Sequence, residues 1–289
     1  MKIAIANRDP NAYPGGDLVQ IAALRKEFEE LGLSIEWPLY PMKPSFSNYD
    51  LVHAYHLNFG WSNIIFTNIW EQNKPYFITA IFYPTTELGS SEEQMREYVN
   101  RSLFTVVHSN WEKSELLDIT HCDESKIRII PNGVEKEFVS EVNDEYSRSG
   151  VITVTARDGD KNTDLVEKAC KELNIPYSNI SKVDRSAIPL IYKLAKVFVN
   201  ASSSERMSLT THEALASHCR VVSTKYNRGN EWYPQLVTCD PADYEDLKYK
   251  IELAYNSPYW SYLPNVAARE LTWENTAKEY LKWIRLALQ

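Results

Sequence analysis

Two cations that could hold a phosphate group follow an apolar run in the second half of the chain. Residues 151–156 predict a buried strand, and Arg157 and Lys161 come directly after it, four residues apart. The planar guanidinium of arginine matches phosphate oxygens and the lysine ammonium acts as a point charge, so the pair could clamp a diphosphate. A solvated loop in which Arg157 pairs with neighbouring aspartates fits the residues about as well, because exposed ion pairs are common.

Two glutamates further along the chain could hold the hydroxyls of a sugar. Glu205 and Glu213 are eight residues apart, which places them about two turns apart and near one face of a helix. Each carboxylate oxygen can accept a hydrogen bond from one hydroxyl of a vicinal diol. The alternative is that both are ordinary surface glutamates.

A glycine loop stands at the start of the first predicted helix, where Gly15 and Gly16 precede Asp17. Backbone amides and the helix dipole favour an anion at such a position. A plain turn with Asp17 as the N-cap residue is the competing interpretation, because short glycine motifs have little specificity.

Three histidines lie near the ends of predicted strands in the first half of the chain. His53 and His108 are at strand exits, and His56 lies just beyond. Each could serve as a general base or bond a phosphate, and each could equally be a structural histidine.

Several chemistries lose support because their motifs are missing. The chain has no H-E-x-x-H, no G-x-S-x-G and no G-x-x-x-x-G-K-[ST], so metalloproteases, serine hydrolases and P-loop enzymes are disfavoured. The four cysteines are widely spaced, without a C-x-x-C pair, which favours free thiols over a zinc site or a disulfide framework. We therefore expect no metal ion and no cofactor.

The elements that must position these residues alternate between strand and helix along the whole chain. Such alternation predicts an α/β protein with parallel sheets, in which ligands bind at the carboxyl ends of the strands. The apolar patterns predict strands at 2–7, 33–37, 50–55, 75–82, 103–108, 126–130, 151–156, 197–200 and 220–223, and helices from 17, 62, 90, 109, 162, 184, 208, 243 and 273.

Length and charge narrow the class of protein further. A chain of 289 residues has the size of two domains. The formal charge is −7 for residues 1–138 and −1 for the remainder, which disfavours nucleic acid and anionic membranes as partners. No apolar run approaches the length of a signal peptide or a spanning helix, so the expected location is cytoplasmic.

Taken in order, these segments resemble the retaining GT-B glycosyltransferases, in particular glycosyltransferase family 4. The early glycine loop and DLVHAYH resemble the opening of that family, and PNGV lies in a stretch similar to the one that closes its first domain. VFVNASSSERMSLTTHEALA resembles the donor-site strand and the E-x7-E helix, and LTWENTAKEYLKWI resembles the final helix. The matching segments are residues 50–56, 109–138, 197–216 and 271–284.

The resemblance implies a GT-B fold, with two Rossmann-like domains whose parallel sheets face each other across a cleft. It implies an acceptor domain at 1–134, a connection at 135–149 and a nucleotide-sugar domain at 150–272. Residues 273–289 would form a helix that packs back on the first domain. The second domain is shortened, because only about ten residues separate helix 162–173 from the segment that begins at Val183.

The resemblance also implies roles for individual residues. Glu213 would hold the ribose, Glu205 would contact the donor sugar, and Arg157 and Lys161 would hold the diphosphate of a UDP- or GDP-sugar. Catalysis would need no metal and would proceed by displacement on one face of the sugar, with Arg157, Lys161, Glu205 and His53 as the catalytic set. The other expected donor-binding residues are Gly15, Gly16, Ser208, Leu209 and Thr210.

The chain departs from the family at several of these places. It has Glu205-Arg-Met-Ser-Leu209 where the family has E-G-F-G-L, and Phe82 or Tyr83 where a catalytic histidine is common. Two alternatives therefore stay open, a non-catalytic module that binds nucleotide-sugars or glycans and a nucleotide-sugar epimerase. The acceptor could be a sugar, a lipid or another small molecule.

Overall fold

The computed structural model of the chain describes residues 1–9, 11, 15–38, 44–83, 89–139, 148–155, 159–233, 235–257 and 270–289. The chain forms two compact units. The first comprises Met1–Pro131 and Thr276–Gln289, and the second comprises Asn132–Asn275. Of the predicted connection at 135–149, residues 140–147 lie outside the described residues.

The first unit is built around a six-stranded sheet in which every neighbouring pair is parallel. Its strand order is β2-β1-β3-β4-β5-β6, and its helices are α1 to α4. The strands are β1 (Lys2–Ala6), β2 (Ser34–Glu36), β3 (Leu51–Tyr55), β4 (Tyr76–Thr79), β5 (Thr105–Val107) and β6 (Ile127–Ile129). The helices are α1 (Gly16–Glu30), α2 (Ser62–Glu71), α3 (Glu92–Arg101) and α4 (Asn110–Thr120).

The second unit has a five-stranded sheet, again parallel at every neighbouring pair. Its strand order is β11-β10-β9-β7-β8. The strands are β7 (Ser149–Val154), β8 (Tyr177–Ile180), β9 (Ala195–Asn200), β10 (Arg220–Thr224) and β11 (Val237–Cys239). The helices are α5 (Thr163–Glu172), α6 (Ile188–Leu194), α7 (Leu209–Ala216) and α8 (Tyr244–Asn256), with 3-10 helices at Arg185–Ala187 and Arg228–Trp232.

The last helix, α9 (Trp273–Ala287), completes the first unit from Thr276 onward. The Tyr280 hydroxyl lies 2.8 Å from Thr79 Oγ1, and its ring meets the ring of Phe28 edge-on. Thr276 Oγ1 donates to the carbonyl oxygen of Pro131 at 2.9 Å. The core of this unit therefore contains residues from both ends of the chain.

Burial explains why the central strands read as apolar runs. Every residue of β3, β4, β5 and β10 is buried, as expected for parallel strands covered by helices on both faces. The predicted α/β class with parallel sheets is confirmed. All four cysteines are free, as predicted, and the structure buries all of them. No helix in the described part of the chain is long and apolar enough to cross a bilayer.

Each sheet has one place where the strand order reverses. In the first unit the reversal lies between β1 and β3, and in the second it lies between β7 and β9. Loops that leave two such neighbouring strands run in opposite directions and open a crevice, where α/β proteins bind ligands. In the second unit, the segments that follow β7 and β9 carry Lys161 and Glu205.

Candidate active site

Lys161 and Glu205 form an ion pair at the carboxyl edge of the second sheet. Lys161 Nζ lies 2.8 Å from Glu205 Oε1, and the Ser202 hydroxyl donates to the same oxygen at 2.8 Å. Both charged side chains are partly exposed, at 24% and 19%. The structure therefore brings these two predicted residues together, with a cation and a carboxylate that solvent and ligand can both reach.

Backbone contacts hold the two loops that carry this pair. Asn162 has a positive φ of 50°, and its Nδ2 donates to the carbonyl oxygen of Ala201 at 2.8 Å. The amide of Ser203 donates to the carbonyl oxygen of Asp160 at 2.8 Å. The loops after β7 and β9 thus fix each other, which limits the entropy lost when a ligand orders them.

The segment that differs from the family's E-G-F-G-L packs into the second unit through Met207, which stands where the family has phenylalanine. Met207 is buried, and its Sδ accepts a hydrogen bond from the amide of Asn132 at 3.1 Å. A Cβ on Gly229 would come within 2.7 Å of Met207 Cγ. Gly229 therefore leaves the space that the Met207 side chain occupies.

The start of α7 presents backbone amides next to Glu205. Ser208 is the N-cap residue, and its hydroxyl accepts hydrogen bonds from the amide of Thr211 at 3.3 Å and from Asn200 Nδ2 at 3.1 Å. Ser208 is thus occupied as a cap. Leu209 and Thr210 form the first turn and are half-buried, where first-turn amides lack intrahelical acceptors and the dipole favours an anion.

Glu213 is deeply buried and paired with a cation that sequence reasoning missed. The residue is 2% exposed, and Arg185 Nη2 donates to its Oε1 at 2.5 Å. The same Nη2 lies 2.8 Å from Glu135 Oε1. Burial raises the pKa of Glu213 to about 7, against the opposing effect of Arg185. Nothing in the polar stretch around Arg185 distinguished it from a solvated residue, because its partners are 28 and 50 residues away.

His53 is enclosed within the first unit, and its catalytic role stays a prediction. It is 1% exposed, Nε2 lies 2.7 Å from Thr79 Oγ1, and its ring packs against Tyr55 and Phe77. Burial lowers the pKa of His53 well below its usual value. These contacts favour a structural role for His53 within β3, the alternative that the sequence left open.

The carboxylate of Asp17 lies at the start of α1, where the sequence predicted that the glycine loop binds a phosphate. Asp17 accepts hydrogen bonds from Arg8 Nη2 at 2.8 Å and Asn7 Nδ2 at 3.0 Å, with His56 Nε2 at 3.4 Å. Burial acts to raise the pKa of Asp17, but His56 and Arg8 hold it well below its usual range. A Cβ on Gly15 would collide with this ion pair. Donor binding by Gly15 and Gly16 stays a prediction.

Two further candidates remain, of which only His108 lies among the described residues. His108 is buried, with Nδ1 2.9 Å from the carbonyl oxygen of Ile130 and Nε2 3.3 Å from Gln20 Nε2. Arg157 lies outside the described residues. In the described ranges, no three His, Cys, Asp or Glu side chains are placed to hold a metal ion.

No protein-family model and no curated protein sequence matches the chain. Solved structures do match. HepE from Anabaena, in complex with UDP and glucose, aligns over 99% of this chain and 100% of its own, with 13% identity and a TM-score of 0.75. Sucrose-phosphate synthase from Thermosynechococcus elongatus aligns over 99% of both chains, with 15% identity and a TM-score of 0.78. Trehalose-6-phosphate synthase OtsA aligns over 98% of both, with 11% identity and a TM-score of 0.74.

The fold is that of the GT-B glycosyltransferases, as the resemblance predicted. At this level of identity the likeness establishes the fold only. Membership of family 4 within that fold stays a prediction.

Proposed function

We propose that this chain is a glycosyltransferase that moves a hexosyl group from a UDP-sugar to an acceptor hydroxyl, with retention of anomeric configuration and without a metal ion. The observation that carries the proposal is the placement of Lys161, Glu205 and the start of α7 around the strand-order reversal of the second sheet. HepE, which has the same fold, was solved with UDP-glucose. A glucose donor is therefore the first to test.

Lys161 is the proposed diphosphate cation. Its ammonium already lies against one carboxylate oxygen at 2.8 Å, so a diphosphate would add a second anionic partner without burying an unpaired charge. Arg157, four residues earlier, is proposed as the second cation. The first-turn amides of α7, at Leu209 and Thr210, would stabilise charge as the diphosphate leaves.

Glu205 is proposed to bind hydroxyls of the donor sugar. Its Oε1 accepts hydrogen bonds from both Lys161 and Ser202. These bonds stabilise the carboxylate and make it a poor nucleophile, which favours displacement on one face over a covalent glycosyl intermediate. In that step the acceptor oxygen bonds to the anomeric carbon as the bond to the diphosphate oxygen breaks, and the acceptor proton passes to a diphosphate oxygen.

Glu213 is proposed to bind the ribose, because a carboxylate oxygen accepts a hydroxyl hydrogen and Glu213 lies on the same helix as Leu209 and Thr210. The division into an acceptor unit at the N-terminus and a donor unit is part of the proposal. Acceptor class and a cytoplasmic location stay predictions from the sequence.

The first test is transfer by a variant that lacks the proposed diphosphate cation. We expect UDP to raise the melting temperature of the wild type, because only the folded site binds it. Lys161→Ala should lower UDP-glucose hydrolysis or transfer by about 10²–10³-fold, the loss typical of one preorganised charge-stabilising group. Lys168→Ala, which removes an exposed cation of α5, is the matched control and should keep the wild-type rate.

Two results would count against the proposal. If UDP leaves the melting curve unchanged at millimolar concentration, the second unit does not bind this nucleotide. If UDP binds but neither hydrolysis nor transfer is detected with a panel of donors and acceptors, the chain is a binding module.

A further inference from the structure

The buried carboxylate of Glu213 is only half satisfied by the protein. Arg185 donates to Oε1, whereas Oε2 is buried and accepts no hydrogen bond within the described residues. A buried acceptor without a donor is unfavourable, because it has given up its hydrogen bonds to water. The carboxylate therefore has one oxygen, Oε1, with a hydrogen-bond donor and one, Oε2, without. This arrangement is expected where a ligand supplies the second donor.

Arg185 is held in place by contacts on several sides. Besides Glu213, its Nη2 pairs with Glu135, and its guanidinium lies 4.7 Å from the ring centre of Phe138. Its side chain remains 40% exposed, while that of Glu213 is 3% exposed. The arginine thus connects the buried carboxylate to the surface.

We propose that Arg185 is a positioning residue of the donor site, which holds the Glu213 carboxylate oriented so that Oε2 can accept a ribose hydroxyl. This inference rests on the proposed function. Arg185 itself needs no contact with the nucleotide, because it acts on the residue that makes the contact.

The surroundings of Glu213 explain why such a partner is needed. Burial raises its pKa to about 7, Arg185 and the Tyr192 hydroxyl act to lower it, and Glu135 acts to raise it. His212, the preceding residue of α7, is buried, and burial lowers its pKa to about 3, so it contributes no positive charge at neutral pH. Arg185 is the cation among these groups. Without it, the Glu213 pKa would rise further, and a smaller fraction of the carboxyl group would be ionised at neutral pH.

The test is UDP binding as a function of pH. Calorimetry from pH 6.5 to 9.5 would compare the wild type with Arg185→Gln, Arg185→Lys, Glu213→Gln and the double variant Arg185→Gln/Glu213→Gln. At pH 7 we expect Arg185→Gln to weaken UDP binding at least 10-fold, and Arg185→Lys to retain part of the affinity. The Arg185→Gln affinity should recover as the pH rises and Glu213 ionises, while Glu213→Gln, which cannot ionise there, should show no such recovery.

Two controls separate a positioning role from a general loss of charge or structure. Lys182→Gln removes an exposed cation from the same segment and should change UDP affinity less than 2-fold. 2′-deoxy-UDP should bind the wild type more weakly than UDP, yet bind Arg185→Gln at pH 7 about as well as UDP does. Circular dichroism and the melting temperature would report whether each variant is folded, and Arg185→Lys keeps the charge if the glutamine variant does not fold.

The outcomes distinguish this inference from the proposed function. If the wild type does not bind UDP, the proposed function fails. If the wild type binds and Arg185→Gln loses no affinity, the inference alone fails. It also fails if the Arg185→Gln loss is the same at every pH, or if that loss adds fully to the loss of Glu213→Gln.

Discussion

His212 is a histidine without a hydrogen-bond partner in the middle of a buried helix. It is 0% exposed, neither ring nitrogen has a partner in the described part of the chain, and its ring lies 5.8 Å from that of Tyr233. Burial lowers its pKa from 6.5 to about 3. The folded protein therefore holds His212 neutral at any pH above that value.

This predicts acid sensitivity with a defined sign. The unfolded chain takes up a proton at His212 below about pH 6.5, and the folded chain does not. The contribution of His212 to the free energy of unfolding is therefore fully present above pH 6.5 and is lost as the pH falls toward 3. At pH 5 the loss is about 2 kcal/mol, from 1.36 kcal/mol per unit. Urea unfolding would give the free energy of unfolding at pH 7.5 and at pH 5. The difference between these two values should be about 2 kcal/mol smaller in His212→Leu than in the wild type.

His121→Asn is the control for this measurement. His121 is exposed and has a positive φ of 49°, a conformation that asparagine tolerates. The free energy of unfolding of the His121→Asn variant should depend on pH as that of the wild type does. An unchanged dependence in His212→Leu would show that other groups cause the acid sensitivity.

At the scale of residues, the sequence predicted those whose positions follow from the fold and missed those that depend on distant partners. Lys161 and Glu205 follow neighbouring strands, so parallel topology alone brings them together. Arg185 contacts Glu213 from 28 residues away, which no local spacing encodes. His53, expected at a strand exit, is the third residue of β3, and its burial there was not readable from the local spacing.

At the scale of elements, Gly133 shows why a short motif needs its glycine. The amide of Val134 donates to the carbonyl oxygen of Leu271 at 3.0 Å, and Val134 pairs with Thr272 as a parallel bridge. A Cβ on Gly133 would collide with the backbone of Thr272 and Trp273. Two backbone segments therefore lie in direct contact, and neither can give way as a flexible side chain would.

We expect Gly133→Ala to destabilise the protein by about 1–3 kcal/mol, the usual cost of overpacking. Gly32→Ala is the comparison, since Gly32 has a positive φ of 82° but no neighbouring atom within 4 Å of the place that a Cβ would occupy. Gly32→Ala should lower the free energy of unfolding by only about 1 kcal/mol, because alanine disfavours the positive φ. Thermal and chemical unfolding of both variants would rank them, and equal losses would contradict the steric explanation.

Element types were largely predictable, and their boundaries and polar strands were not. The helix predicted from residue 90 begins at Glu92, after an N-cap at Ser91. Ser91 Oγ accepts a hydrogen bond from the amide of Gln94, and Gln94 Oε1 accepts one from the amide of Ser91. Strand β8 was missed because it is an edge strand with two exposed polar residues, Ser178 and Asn179. An edge strand lacks the apolar run that identifies a central one.

At the scale of the whole molecule, the first unit depends on the last residues of the chain. Tyr280, Leu281 and Ile284 of α9 are 0–6% exposed. Burying three such side chains contributes about 5–9 kcal/mol at 1.5–3 kcal/mol each, which is comparable to the whole stability of a domain. Deleting residues 276–289 should therefore prevent cooperative folding of the first unit.

Hydrogen exchange on the truncated protein would test this dependence. Amides of β3 and β4 should lose protection while those of β9 and β10 keep it. Deleting only residues 286–289 removes Leu286 and Leu288, which are 53% and 48% exposed, and should leave protection unchanged. Full protection of β3 and β4 after deletion of residues 276–289 would show that the first unit is complete without α9.

The same arrangement sets an order of events during synthesis. A ribosome releases the strands and helices of the first unit early, yet the side chains that close its core are added after the whole second unit has been translated. Domains generally fold as units in the order in which they emerge. Here the second unit can fold before the first unit is complete. Until residues 276–289 have been translated, the nascent first unit exposes the apolar surface that α9 covers. Chaperone dependence during translation is the consequence we expect for this protein.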